Sequence, residues 1–261
     1  MSAEDPAIGA LGHPRLHFRQ TDSTNERARS LAVGGAPHGT LVTAEEQTAG
    51  RGRQGRSWAA PAGSALLCSL VLRDPPVPLS LLAGVAVCDA VGAHARVKWP
   101  NDVVVEPNLA KLAGILVEGR PQENWAVLGI GINVAVSIED LPADLRGHAA
   151  SLALARSAIE PTLVRLIEAL ERRLAEPTQT VLDAWRARDA LRGREIGWTR
   201  PNGDEQGSGR AAGIDSAGRL VVEQADGARV ALDAGEVHLG PSRQRPGAGF
   251  FKPRTPRKSI S

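Results

Sequence analysis

Gly50-Arg51-Gly52-Arg53-Gln54-Gly55-Arg56 is the stretch around which the rest of the chain reads. Three glycines open backbone conformations closed to other residues. Three arginines set planar, permanently charged forks on that backbone, and such forks grip phosphate and carboxylate oxygens two at a time. Such a loop can stay loose until an anion arrives and then close over it. It also fits G-x-G-x-x-G, whose dinucleotide use needs a strand before it and a helix after it. A strand precedes it around residues 40–44, but Ser57-Trp58-Ala59-Ala60-Pro61-Ala62-Gly63 does not start a long helix cleanly. Taken alone, the loop also reads as a solvated arginine-rich turn or a basic nucleic-acid patch.

Upstream, Thr21-Asp22-Ser23-Thr24-Asn25-Glu26 contains an S-x-x-E capping box, which predicts a helix over 24–33 stopped by Gly34-Gly35. The turn either only caps that helix or also offers hydroxyls and amides to a polar ligand. Residues 38–47 read as a strand that delivers Gln47 and the loop. Downstream, 63–72 reads as a second strand and 79–93 as a nearly all-apolar, buried helix. Pro100 forces a bend between Val97 and Val103, and the bend displays Lys98, Asn101 and Asp102. Strands follow over 111–118 and 125–134. Gly114 inside the first marks a close approach, and Gly129 and Gly131 on one face of the second leave a slot for something flat or elongated. Amphipathic helices over 161–175 and 178–191 carry no visible chemistry. From 194 to 239 short apolar pieces alternate with turn signals such as Pro201-Asn202-Gly203-Asp204, the texture of a small all-β barrel of hairpins.

A chain of 261 residues suffices for one large domain and a small one. The formal charge of +2 includes six cations and no acid after Gly240, so the rest carries −4, which argues against a broad nucleic-acid surface. Outside that basic tail the only lysines are Lys98 and Lys111, in a chain that otherwise uses arginine. A compact ammonium is therefore expected to matter at those two places. Cys68 and Cys88 sit in apolar runs and read as reduced core residues of a cytoplasmic protein. Six scattered histidines give no metal-ligand spacing, so no metal site is expected from the protein alone. Residues 1–14 lack a secretory signal, and 79–93 is too short to span a membrane.

The strings Asp22 to Asn25, Gln47 with Gly50 to Arg56, Lys98 to Asp102, Lys111 to Glu118 and Gly129 to Asn133 occur in an order that resembles the biotin–protein ligases. Lipoate–protein ligases share the general fold but lack the glycine-arginine loop in this form. Gln54 departs from relatives that carry another arginine there. The resemblance implies an α+β fold: a mixed, mainly antiparallel sheet packed with helices, of the class II synthetase and biotin–lipoate ligase kind, with a C-terminal SH3-like β-barrel. The expected division is an N-terminal arm over 1–20, a catalytic domain over 21–191, the SH3-like domain over 192–240 and a disordered basic tail over 241–261. Some relatives carry an N-terminal DNA-binding domain, and the few residues before Thr21 predict none here, hence no specific DNA binding.

The same resemblance implies ATP, biotin and Mg²⁺ as cofactors and a biotin carboxyl-carrier domain as acceptor, and it leaves a homodimer open. It implies that Ser23, Thr24, Asn25, Gln47, Gly50, Arg51, Gly52, Arg53 and Lys111 surround biotin, with Gly114, Gly129 and Gly131 lining the slot. Arg53, Arg56, Trp58, Lys98, Asn101, Lys111 and Asn133 are expected at ATP. Biotin's carboxylate, with a reference pKa of ~4, is already ionised at neutral pH, so activating it is an electrostatic and positioning task. Arg51, Arg53 and Lys111 are expected to counter the charge on the two anions, with Mg²⁺ taking the rest. An acceptor lysine must lose a proton before it attacks, and Asp102 is expected to orient or deprotonate it.

Overall fold

The computed structural model describes residues 11–76, 78–120, 123–200, 205–233 and 235–240. The tail over 241–261, residues 1–10 of the expected arm and the turn at 201–204 lie outside the described residues. In chain order the elements are β1 (Arg15–Thr21), α1 (Thr24–Val33), β2 (Leu41–Gln47), β3 (Ala65–Arg73), α2 (Leu79–Val91), β4 (Ala95–Lys98), β5 (Asp102–Val105), β6 (Ala110–Arg120), β7 (Trp125–Asn133), α3 (Ala143–Arg146), α4 (Ile159–Leu174), α5 (Thr178–Arg186), β8 (Glu195–Thr199), β9 (Gln206–Ile214), β10 (Leu220–Glu223), β11 (Arg229–Leu232) and β12 (Glu236–Leu239).

Strand alternation assigns the two faces of the first sheet. Leu66, Cys68, Leu70 and Leu72 of β3 and Leu128, Ile130 and Ile132 of β7 turn to one side, where they meet α2, α4 and α5 in the main core. Ser69, Gly129 and Gly131 lie on the opposite side, and there Ala28 and Ala32 of α1 pack against Val42, Val71 and Val127. The sheet has seven strands in the order β1-β2-β3-β7-β6-β5-β4. Only β1 and β2 run parallel in it, so the sheet is mixed and mainly antiparallel. Because α2 is apolar all round, it is buried in the core. Its one charge, Asp89, is held by Arg173 and Arg188 at 2.8 Å each and by Arg172 at 3.3 Å. Burial pushes that carboxyl's pKa up, but the hydrogen bond and charge of Arg173, with Arg188, outweigh it and leave it below the ordinary value. The cluster ties α2 to α4 and to the end of α5.

The second sheet is antiparallel, in the order β11-β10-β9-β8-β12. Its Ile196, Leu220 and Val222 belong to the same core as the first sheet, and Trp99 Nε1 donates to the Gly218 carbonyl at 3.2 Å.

Two expectations need correction. The arm expected over 1–20 supplies an edge strand, β1, paired in parallel with β2 from Arg15 opposite Leu41 to Thr21 opposite Gln47. The helix expected over 178–191 ends at Arg186, because the chain beyond it pairs with β4: Val97 donates to Arg188 O at 3.0 Å and Ala190 to Val97 O at 2.9 Å.

Asp189 sits in that stretch, bridged to Val97 of β4. Its Oδ1 accepts from the Leu191 amide at 2.9 Å, while its Oδ2 is buried without a partner among the described residues. Burial raises its pKa to about 6. An unfolded aspartate ionises near pH ~4, so folded Asp189 resists ionisation between about pH 4 and 6. The resulting loss of stability is complete above pH 6. Asp189→Asn is therefore expected to raise the melting temperature more at pH 7.5 than at pH 4.5, which thermal denaturation at the two pH values measures. An equal shift would mean that the buried charge is not the cause.

Candidate active site

The site is built on a row of positions that lie side by side across the sheet. Leu67 pairs with Gly131, Gly131 with Gly114, Gly114 with Asp102, and Asp102 with Lys98. In the next row Ser69 pairs with Gly129. Three of these positions have no side chain, and each bare position is filled by a neighbour. A Cβ on Gly131 would fall 2.7 Å from Trp58 Cε2, one on Gly114 would fall 2.9 Å from Trp58 Cζ3, and one on Gly129 would fall 1.9 Å from Asn25 Oδ1. The slot read from the glycines therefore exists, but the Trp58 indole and the Asn25 amide occupy it. A ligand in that part of the slot shares it with the indole or replaces it.

Lys111 reaches this face through a β-bulge. Simple alternation would place it with Ala113 and Ile115, both buried in the core. Instead Val103 pairs with Ala113 and Val104 with Lys111, leaving Leu112 as the extra residue, fully buried in the core. The bulge re-aims the lysine. Its Nζ lies 2.7 Å from Asp102 Oδ1 and 5.7 Å from the centre of the Trp58 ring. The Lys111 backbone is held too: its N–H donates to His148 O at 2.7 Å, and its carbonyl accepts from Ala150 at 2.8 Å. Lys98 stands on the other side of Asp102. Burial, with Lys111 and Arg56 nearby, lowers its pKa despite the pull of Asp102.

The glycine-arginine stretch forms a tight turn. Trp58 N–H donates to Gly50 O at 2.9 Å and Gly52 N–H to Arg56 O at 2.7 Å. Gly50 is required at its position, since a Cβ there would meet Trp58 O at 2.4 Å. Gln54 and Gly55 turn the backbone through the left-handed region, with φ of 54° and 74°. The three arginines fasten this turn to three different parts of the protein. Arg51 Nη1 lies 3.0 Å from Glu26 and its Nη2 3.0 Å from Glu118. Arg53 Nη1 donates to Asn101 Oδ1 at 3.3 Å, and Arg56 pairs with Glu236 of β12. Burial pulls the Arg53 pKa down, opposed by Asp102 and Glu236, and the guanidinium stays cationic.

The structure thus brings Arg53, Trp58, Asn101, Asp102, Lys98 and Lys111 together. It does not bring Arg51 to them, because Arg51 is held at the α1 end of β6, while Lys111 lies near the other end of that strand. Asn133 Nδ2 donates to Ala150 O at 2.8 Å, and its Oδ1 is buried without a partner among the described residues, as is Trp58 Nε1. A polar ligand suits both orphaned atoms.

At the α1 end lies a second polar group. Thr24 N and Oγ1 donate to Gln47 Oε1 at 2.7 and 3.0 Å. Ser69 Oγ lies 2.7 Å from Asn25 Oδ1 and 2.8 Å from Thr24 Oγ1, and Asn25 Nδ2 donates to Glu118 Oε2 at 2.9 Å. Ser23 is buried and takes the N-cap position, but the capping box does not form. Glu26 turns to Arg29 and Arg51, and Asp22 Oδ1 takes the Ser23 amide at 2.7 Å. Two arginines attract the Glu26 carboxylate more strongly than one backbone amide does. Ser69 and Glu118, which join this polar group, were not among the expected site residues. Ser69 left one trace in the sequence, a lone hydroxyl in the apolar run Ala65 to Leu72.

Among the described residues no group of three or more His, Cys, Asp or Glu side chains is placed to hold a metal ion. No described helix is long and apolar enough to cross a membrane. A cavity of about 460 Å³ elsewhere, lined partly by His94, Arg96 and Arg165, contains none of the site residues. Its arginines are engaged near the end of α2, Arg165 with Ala90 O at 3.1 Å and Arg96 with Ala93 O at 2.7 Å.

A cationic turn over a bare strip of sheet, with buried amides at one end and an ammonium–carboxylate pair at the other, defines a protein that binds a small elongated ligand beside an anion. Residues 17–135 match the biotin/lipoate A/B protein ligase family, and residues 193–240 match the biotin protein ligase C terminal domain. The chain is 38% identical to the biotin–[acetyl-CoA-carboxylase] ligase of Mycobacterium tuberculosis, across 91% of this chain and 94% of that one. It is 34% identical to the protein of the same name from Paracoccus denitrificans, across 85% and 98%. The biotin protein ligase of Aquifex aeolicus in complex with biotin and ATP superposes with a TM-score of 0.72 at 25% identity, covering 88% of this chain and all of that one. The chain belongs to the biotin protein ligase family.

Gly129→Ala is expected to expel Asn25, stranding its bonds to Ser69 and Glu118, and to lower stability by about 1–3 kcal/mol in urea denaturation. Unchanged stability would contradict the close approach.

Proposed function

We propose that the chain activates biotin with ATP as biotinyl-5'-AMP and passes it to one lysine of a biotin carboxyl-carrier domain in the cytoplasm. Residues 21–191 form the catalytic domain and 192–240 an SH3-like domain. The observation that favours biotin over lipoate is the polar cluster beside Gly129. Asn25 Oδ1 keeps a second lone pair after Ser69, and the Gln47 Nε2 donors have no partner among the described residues. A ureido ring, with two N–H donors and a carbonyl acceptor, matches both. A dithiolane ring has neither, and it would bury those groups unpaired.

With the ring beside Thr24, Asn25, Gln47 and Ser69, the carboxylate points along the glycine strip toward Lys111 and Arg53, sharing the strip with the Trp58 indole or displacing it. One carboxylate oxygen attacks the α-phosphorus of ATP and pyrophosphate leaves. Arg53 and Lys111 counter the charge of the two anions, while Trp58, Lys98, Asn101, Arg56 and Asn133 surround the nucleotide. As placed, Arg51 fastens the turn, and it reaches the anions only by leaving Glu26 and Glu118. Mg²⁺ enters with the phosphates of ATP. In the second step the acceptor lysine attacks the acyl carbon and AMP departs with the electron pair of the anhydride bond. Asp102 takes the proton, once the nucleotide has drawn Lys111 away from it.

Incubating the purified chain with ATP, a carrier domain and either labelled biotin or labelled lipoate tests this reading. Only biotin is expected to become bound to protein, and equal labelling by lipoate would overturn the substrate. Separating the half-reactions tests Asp102. Asp102→Asn is expected to slow transfer by on the order of a hundredfold and adenylate formation much less. Equal losses would mean that Asp102 acts only by holding Lys111.

A further inference from the structure

One carboxylate joins the loop to the floor of the ring pocket. Glu118 spends Oε1 on Arg51 of the loop, 3.0 Å away, and Oε2 on Asn25 Nδ2, 2.9 Å away. An ionised carboxylate can only accept hydrogen bonds, so it admits only one orientation of the Asn25 amide. With Nδ2 turned to Glu118, Oδ1 faces Ser69 Oγ and lies over Gly129, in the place a Cβ there would take. Were the amide reversed, an oxygen would face the carboxylate and a donor would face the ring.

We infer that Glu118 is a specificity-determining positioning residue: it fixes Asn25 as an acceptor for a ring N–H of the ligand and ties that orientation to the seating of Arg51. The inference rests on the reading of this pocket as the biotin site. Glu118 touches neither substrate nor nucleotide, and it acts through Asn25 and Arg51. Glutamine at 118 would still fit and still bond Asn25, but its own amide offers donor or acceptor, so only the longer contact of Nδ2 with the Leu116 carbonyl, at 3.4 Å, would favour the present orientation of Asn25. Glu26 is the natural comparison, since it holds Arg51 at 3.0 Å and makes no hydrogen bond to the Asn25 amide among the described residues.

The test uses the full chain and two mono-N-methylated biotins, each lacking one ureido N–H, compared with biotin by calorimetry. Wild type is expected to bind at least one methylated biotin more than tenfold less tightly than biotin, the loss of a well-placed acceptor contact. In Glu118→Gln that ratio is expected to shrink to threefold or less, and biotin's KM to rise about tenfold with kcat nearly unchanged. In Glu26→Gln the ratio is expected to stay at the wild-type value. If Glu118→Gln weakens biotin and both methylated biotins by the same factor, Glu118 is a structural support only and the inference fails. It fails equally if Glu26→Gln shrinks the ratio as much, because the loop alone would then set it. Wild type that binds no biotin at all would overturn the site reading itself, a result distinct from either.

Discussion

The site depends on a strip of sheet that carries no side chains. Gly131 and Gly114 face each other across β7 and β6, and Gly129 lies two residues further along β7. A methyl group at any of the three would collide with Trp58 or Asn25. The other face of the same strands is closed by leucine and isoleucine packed on α2 and α4. Such a sheet is rigid on one side and, on the other, lets Trp58 and Asn25 lie directly on its backbone, which suits a site whose reacting atoms must be held to fractions of an ångström.

Two backbone features place charge at the ends of the strip. The bulge at Leu112 turns Lys111 out of the core and onto Asp102. The glycine-rich turn carries three arginines from one short segment to Glu118, Asn101 and Glu236, which belong to β6, the β4–β5 bend and β12. The turn therefore spans the strip and reaches the C-terminal sheet. Its arginines bond protein groups here, and those on Glu26 and Glu118 are partly exposed, where ion pairs contribute about 0–1 kcal/mol each. Contacts that weak can be exchanged for ligand oxygens at little cost.

Much of this was legible in the sequence because it is local. Helix 24–33, the strands that carry the glycines and the bend at Pro100 follow from periodicity, stop signals and the geometry of proline. The class of the first sheet came from resemblance and from strings in a fixed order. What was not legible depends on partners distant in sequence. The strand Arg15–Thr21 has a two-residue apolar alternation at Leu16 and Phe18, but it is short and lies on the sheet edge. The bulge is a property of the β5–β6 pairing and leaves no mark in β6 alone. The capping box at Ser23 and Glu26 gave way to Arg29 on the same helix and to Arg51, 25 residues away. Arg51 itself was assigned by charge to the anions, when two carboxylates from α1 and β6 hold it elsewhere.

The central claim is that this strip lets a carboxylate and a nucleotide share one anhydride before any protein acceptor arrives. Exchange of labelled pyrophosphate into ATP, with the purified chain and no carrier domain, measures that step alone. The account predicts exchange that requires biotin and is lost in Lys111→Ala. Exchange without biotin, or none until a carrier domain is added, would contradict it.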